Sequence, residues 1–118
     1  MEYLNYVVIG IFVLFMLQRL LPTKGVKQIS TSALKNELND QNKQFVDVRT
    51  PVEFKGNHIR GFKNIPLHQL ANNVNELSKE KEIVVICQSG MRSNKASKLL
   101  KKKGFKQVTN VKGGISAW

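Results

Sequence analysis

The apolar run at residues 82–87, with the sequence EIVVIC, constrains the fold more than any other stretch of the chain. It has the length of a strand and lacks polar alternation, which is typical of a central strand covered on both faces. Helical patterns flank it at residues 67–80 and 92–104, and shorter strand-like runs lie at residues 26–30 and 107–113. This alternation predicts an α/β fold with a central, mostly parallel sheet and helices on both faces.

The only cysteine, Cys87, stands at the carboxyl end of that run and is followed by a short turn and a helix. Ligands of open α/β sheets bind at the carboxyl ends of the strands. Amides at a helix N-terminus bind anions and favour a reactive thiolate, and Arg92 adds a planar cation that suits an oxyanion. We therefore expect Cys87 to be a nucleophile. The expected substrate-binding loop consists of Gln88, Ser89, Gly90, Met91, Arg92 and Ser93.

An inert cysteine that fills space at the end of a buried strand is the alternative interpretation of Cys87. The order of strand, cysteine, glycine turn, arginine and helix favours the reactive cysteine. The sequence contains one cysteine and two histidines, His58 and His68, which make a poor set of zinc ligands. A single cysteine cannot form an internal disulfide. We expect no metal and no cofactor.

Charge is distributed unevenly along the chain. Lysine and arginine number 19 against 8 acidic residues, which gives a net charge of +11, and no acidic residue follows Glu82. A field of this sign suits an anionic ligand, an anionic membrane surface or nucleic acid. Aromatic residues do not interleave with the lysines and no nucleic-acid-binding motif occurs, so nucleic acid is not an expected partner.

The N-terminal segment at residues 3–21 is almost wholly apolar. At about 1.5 Å per residue it reaches roughly 28 Å, close to one hydrocarbon core. A cleaved signal peptide and a buried core helix are less favoured alternatives, since the segment lacks a basic start and is apolar on every face. The prediction is one transmembrane helix, a linker at residues 22–26 and a domain at residues 27–118. Basic residues follow the segment, so the domain would face the cytoplasm from the cell membrane.

Several motifs of residues 27–118 resemble those of the rhodanese homology domain, a single-domain sulfurtransferase. They are DVR at residues 47–49, EF at 53–54, HIRG at 58–61, NIP at 64–66, and the strand and loop IVVICQSGMRS. One departure is Asn57, which separates Gly56 from His58 where the family commonly has glycine directly before histidine. The resemblance implies the three-layer rhodanese-like fold.

The resemblance also implies a reaction. Cys87 would take the outer sulfur of a small anionic donor, thiosulfate or a persulfide, and carry it as a persulfide to a thiol or protein acceptor. Loop amides would stabilise the anionic sulfur, and Arg92 would hold the departing sulfite. Asp47, Arg49, Glu53 and His58 are family signatures. They are interpreted as polar contacts that brace the site, and the alternative makes Asp47 or His58 an acid–base partner of Cys87.

Two other functions compete with sulfur transfer. Phosphatases and arsenate reductases of a similar fold use a C-x5-R loop, whereas Cys87 and Arg92 form a C-x4-R loop that fits the smaller sulfur-transfer site. A non-catalytic binding module at the membrane is the second alternative, and the presence of Cys87 disfavours it. The membrane is an expected partner through residues 3–21.

Overall fold

Strands and helices alternate along the chain in the computed structural model, which describes residues 2–20 and 24–118. A short 3-10 helix, Val74–Glu76, follows the fourth α-helix. The elements are α1 (Glu2–Leu20), β1 (Val26–Ile29), α2 (Thr31–Lys35), β2 (Lys43–Asp47), α3 (Pro51–Gly56), β3 (Lys63–Asn64), α4 (Leu67–Asn73), β4 (Glu82–Ile86), α5 (Met91–Lys102), β5 (Val108–Val111) and α6 (Gly114–Ala117).

The five strands form one sheet in the order β1-β5-β4-β2-β3. Every pair of neighbouring strands is parallel, with Val84 of β4 opposite Phe45 of β2 and Thr109 of β5. The central strand is therefore β4, the run that the sequence marks as covered on both faces. The predicted α/β fold with a parallel central sheet is confirmed.

Side chains of β4 alternate between two hydrophobic cores. Ile83, Val85 and Cys87 pack on the face that carries α4 and α5, together with Leu70 and Leu100. The opposite face is covered by α2, α3 and α6, and its core includes Val84, Ile86, Leu34 and Ile115. Because residues of a strand point alternately to the two faces, both sides of β4 are apolar and helices cover both.

Polar side chains set where the helices begin and end. Thr50 caps α3 in a capping box with Glu53, and Pro51 occupies the first turn, where no backbone N–H is needed. The helix α2 ends at Lys35, because Asn36, which follows it, favours a turn. The helix predicted over residues 67–80 likewise ends at Asn73 and continues only as the 3-10 helix.

The predicted transmembrane helix at residues 3–21 is not supported. Residues 2–20 do form the helix α1, with its side chains exposed from Glu2 to Gln18. Within the described residues, however, no helix combines the length and apolar character needed to cross a membrane.

The predicted linker at residues 22–26 is described only in part. Pro22 and Thr23 lie outside the described residues, as does Leu21 at the end of the predicted span. Lys24 and Gly25 form a turn, and Val26 already belongs to β1. The expected location at the cell membrane, with the domain facing the cytoplasm, stays a prediction.

Candidate active site

Cys87 directly follows β4 at the carboxyl edge of the sheet, with 1% of its surface exposed. The backbone N–H of Gly90 donates to its Sγ at 2.9 Å, and the thiol lies 3.3 Å from Ser93 Oγ. The Ser93 hydroxyl in turn donates to the Gly90 carbonyl at 3.1 Å. The cysteine loop, residues 87–93, is therefore closed around the sulfur, and the donor to Sγ is the Gly90 amide, because the Ser93 hydroxyl gives its proton to the Gly90 carbonyl. An amide at this point favours a negative charge on Sγ.

The turn in the cysteine loop depends on Gly90, which has a φ of +115° and precedes the first residue of α5. Side chains with a Cβ rarely adopt this conformation, so glycine gives the turn at little cost. The Gly90 carbonyl accepts from Asn94 N at 3.0 Å and so begins the hydrogen bonding of α5. The N-terminus of α5 thereby lies next to the sulfur.

The C-terminal segment supports the cysteine loop from behind. Ile115 N donates to the Cys87 carbonyl at 2.9 Å, and Ser116 N donates to the Gln88 carbonyl at 3.0 Å. A Cβ on Gly114 would clash with the Cys87 carbonyl, so only glycine permits this approach. The sequence analysis missed Gly114. The signal for it was the glycine pair at residues 113–114, placed just after the last strand.

Arg92 does not face solvent as a free cation. Its Nη1 and Nη2 donate to Glu53 Oε1 and Oε2 at 2.6 and 2.9 Å, with 35% and 32% of the two side chains exposed. These hydrogen bonds, with that from Thr50 N, lower the pKa of the Glu53 carboxyl to about 2. The same bonds from Glu53 raise the pKa of Arg92. At neutral pH the pair is fully ionised.

Arg49 forms a second carboxylate pair, this one buried. Its Nε lies 3.0 and 3.1 Å from the two oxygens of Asp47, and its Nη2 donates to Asp47 Oδ2 at 2.9 Å. Nη2 also donates to the Asn57 carbonyl at 2.7 Å, and Nη1 to Gln88 Oε1 at 3.3 Å. Arg49 thus connects the end of β2 and the segment after α3 to the cysteine loop.

The remaining predicted site residues lie in different surroundings. Gln88 is half-buried and its amide donates to Ser116 Oγ at 3.2 Å, whereas Ser89 and Met91 are exposed. His58 is exposed; its ring stacks on Phe54 at 3.9 Å between centroids, and its Nδ1 lies 2.8 Å from the Phe54 carbonyl. None of these hydrogen bonds joins His58 to Cys87, and the chemical roles of Asp47 and His58 stay predictions.

The possibility of a metal site was considered from the arrangement of histidine, cysteine and carboxylate side chains. Within residues 2–20 and 24–118, no cluster of three or more histidine, cysteine or carboxylate side chains is arranged to hold a metal ion. The hydrogen-bond donor at Cys87 Sγ is instead the backbone amide of Gly90, which suits an anionic sulfur.

A known protein family matches the part of the chain that contains Cys87 and the two arginine–carboxylate pairs. The family model described as a rhodanese-like domain matches residues 30–118, which include every strand but the first, all of the cysteine loop, and both arginine–carboxylate pairs. The chain belongs to the rhodanese-like domain family. Sulfurtransferases are among the named relatives, and the predicted family membership is confirmed.

Relatives of this rhodanese-like domain include proteins named as sulfurtransferases and solved structures. The thiosulfate sulfurtransferase GlpE of Pseudomonas syringae is 36% identical over 69% of this chain and 76% of its own. The uncharacterized protein YqhL of Bacillus subtilis is 34% identical over 97% of this chain and 92% of its own. The crystal structure of a rhodanese-like domain protein from Staphylococcus aureus superposes with a TM-score of 0.73, at 36% identity, over 79% of this chain and 91% of that one.

Proposed function

We propose that the protein is a sulfurtransferase that carries sulfane sulfur from a donor, thiosulfate or a persulfide, to a thiol acceptor as a persulfide on Cys87. The observation that carries this proposal is the contact between Gly90 N and Cys87 Sγ at the N-terminus of α5. An amide donor at that point stabilises the thiolate before attack and the thiolate that is released after the second transfer.

The reaction has two displacement steps. In the first, Cys87 Sγ attacks the outer sulfur of the donor, the donor's S–S bond breaks, and its electron pair leaves with sulfite or with the donor thiolate. In the second, an acceptor thiolate or cyanide attacks the outer sulfur of the Cys87 persulfide, and the Cys87 thiolate is regenerated. No general base is needed in either step if the thiol is already ionised.

Two features favour sulfur over phosphate as the transferred group. The cysteine loop is one residue shorter between Cys87 and Arg92 than the C-x5-R loop that surrounds a tetrahedral phosphate. A relative of similar length, GlpE, bears the name thiosulfate sulfurtransferase. Thiosulfate or a persulfide as the donor, and a thiol as the acceptor, belong to this proposal.

The test treats the full chain with thiosulfate or with methanethiosulfonate and measures its intact mass. We expect the mass to rise by one sulfur atom, and cyanide to remove that sulfur as thiocyanate. Since Cys87 is the only cysteine, Cys87→Ser removes the only thiol and is the matched control. Failure of both donors to add a cyanide-labile sulfur would contradict the proposal and favour a non-catalytic binding module.

A further inference from the structure

The mouth of the cysteine loop contains no unpaired cation among the loop's own residues. Gln88, Ser89 and Met91 are uncharged, and the one basic residue of the loop, Arg92, has its two terminal nitrogens bound to Glu53. The other nearby guanidinium, that of Arg49, is buried and held by Asp47. Summed over these groups, the charge that a donor meets next to Cys87 is close to zero before the thiolate is counted.

The carboxylate that occupies Arg92 is itself fixed in place. Both Thr50 N and Thr50 Oγ1 donate to Glu53 Oε1 at 3.0 Å, and Glu53 N donates back to Thr50 Oγ1 at 3.3 Å. Two parallel N–H···O bonds to a preorganised carboxylate occupy the edge of the guanidinium formed by its two terminal nitrogens, which is one of the edges that could bind a sulfonate. A sulfonate group that approaches this edge of Arg92 must therefore compete with Glu53 for those two donors.

Lysines elsewhere do not replace the missing contact. Among residues 24–118, no lysine donates a hydrogen bond to a residue of the cysteine loop. Exposed lysines raise the rate at which anions approach, but their effect is screened over about 10 Å at 0.1 M salt. They therefore assist encounter with any anion and do not single out a dianion at the sulfur.

We propose that Glu53 sets the donor class by neutralising Arg92, so that the site takes singly charged organic sulfane-sulfur donors in preference to the thiosulfate dianion. This inference rests on the proposed sulfurtransferase function. With an organic persulfide, Cys87 Sγ bonds to the outer sulfur, the S–S bond breaks, and the electron pair leaves on the organic thiolate. That leaving group carries one charge, whereas sulfite carries two and needs a cation that Glu53 already holds.

The experiment compares two donors that have the same reacting S–S bond but differ by one charge. Thiosulfate is a dianion that releases sulfite, and methanethiosulfonate is a monoanion that releases methanesulfinate. We expect kcat/KM with cyanide as acceptor to be higher for methanethiosulfonate in the wild-type protein. The central variant is Glu53→Gln, because it removes the carboxylate charge at nearly the same shape. A glutamine carbonyl in the place of Oε1 can still accept from Thr50 and from Arg92 Nη1, and only the bond from Nη2 to Oε2 is lost.

Loss of the Glu53 charge leaves the charge of Arg92 uncompensated, which should help the dianion more than the monoanion. For one added positive charge near the sulfur we expect kcat/KM to rise about fivefold for thiosulfate and about twofold for methanethiosulfonate. The matched control is Glu80→Gln, which also removes one carboxylate from an ion pair, that with Lys106, but lies before β4 at the opposite end of the sheet. It should leave both values unchanged.

A second variant shows whether Glu53 acts through Arg92. In Glu53→Gln combined with Arg92→Gln the gain for thiosulfate should disappear, and in Arg92→Gln alone thiosulfate should lose more than methanethiosulfonate, because an unpaired Glu53 then repels it. Equal changes for the two donors in Glu53→Gln, or a wild-type preference for thiosulfate, would overturn the inference while leaving Cys87 labelled. Absence of labelling by either donor would overturn the proposed function and the inference with it.

Discussion

Two arginine–carboxylate pairs flank Cys87, and they differ chiefly in burial. Arg49 and Asp47 expose 1% and 0% of their side chains, whereas Arg92 and Glu53 expose 35% and 32%. Both pairs are held by several hydrogen bonds with good geometry, so hydrogen-bond quality does not separate them. Their surroundings do: one pair lies within the core at the end of β2, and the other lies at the surface beside the loop that holds the sulfur.

Burial decides what each pair can do. Removal of one partner of a buried pair leaves a charge without solvent, which is strongly destabilising, whereas an exposed ion pair contributes little because water replaces the lost partner. The Asp47–Arg49 pair is therefore suited to fix the position of Gln88 and the segment after α3. The Glu53–Arg92 pair lies beside the sulfur and contributes little to stability, and so is suited to control which anion reaches Cys87.

Loss of the buried carboxylate should have the largest effect. In Asp47→Asn, Arg49 keeps its charge but loses its counter-ion, and we expect the free energy of unfolding to fall by about 3–5 kcal/mol. Denaturation in urea, with the slope compared to confirm a two-state transition, measures the loss. The same measurement on Glu53→Gln should give a loss below about 1 kcal/mol.

The control for this prediction removes both buried charges. In Asp47→Leu combined with Arg49→Met no unpaired charge remains, and a substantial part of the lost stability should return, as for other buried pairs replaced by apolar residues. A loss in Asp47→Asn no greater than that in Glu53→Gln would show that burial does not distinguish the pairs.

Sequence patterns were sufficient for elements whose signals are local. The continuous apolar run of β4 identified the central strand, and the helical pattern over residues 92–104 identified α5. Because parallel strands all end at the same edge of a sheet, the pattern also placed Cys87 at the ligand-binding edge. The turn at Gly90 was also predictable, because a glycine stands between the end of the strand and the start of the helix.

Contacts between distant segments were not predictable from these patterns. Arg92 lies 39 residues from Glu53 in the sequence, and their contact depends on the packing of α3 against the cysteine loop. The sequence therefore presented Arg92 as a free cation for sulfite. Gly114 was missed for a similar reason, since its closeness to Cys87 depends on the order of β4 and β5 in the sheet.

The difference in the free energy of unfolding between wild type and Glu53→Gln should depend on pH in the acid range. The pKa of Glu53 is lowered from 4.5 to about 2, so its ion pair contributes stability that is present above pH 4.5 and is lost as the pH falls through 2. After allowance for solvent screening, wild type should exceed Glu53→Gln by at most about 1 kcal/mol at neutral pH, and the difference should vanish near the lower limit.

Urea denaturation at several pH values between 4.5 and 2 measures the difference in the free energy of unfolding between wild type and Glu53→Gln. The control is Glu80→Gln, which removes the same charge from an exposed carboxylate. The side chains of Glu80 and Lys106 are 73% and 68% exposed, so this control should show a smaller difference. A difference between wild type and Glu53→Gln that persists undiminished at the acid limit would contradict the assignment of the low pKa to the pair with Arg92.

Salt should weaken the exposed pair and leave the buried pair unchanged, which is the smallest of the expected effects. A double-mutant cycle of Glu53→Gln and Arg92→Gln should give a coupling free energy of about 0.5 kcal/mol at low ionic strength. At 1 M salt the screening length falls to about 3 Å, so the coupling should approach zero. The penalty of Asp47→Asn should remain, because ions do not reach the buried Arg49 charge. A coupling between Glu53 and Arg92 that is insensitive to salt would mean that this pair is as closed to solvent as Asp47 and Arg49, which would contradict the distinction between the two pairs.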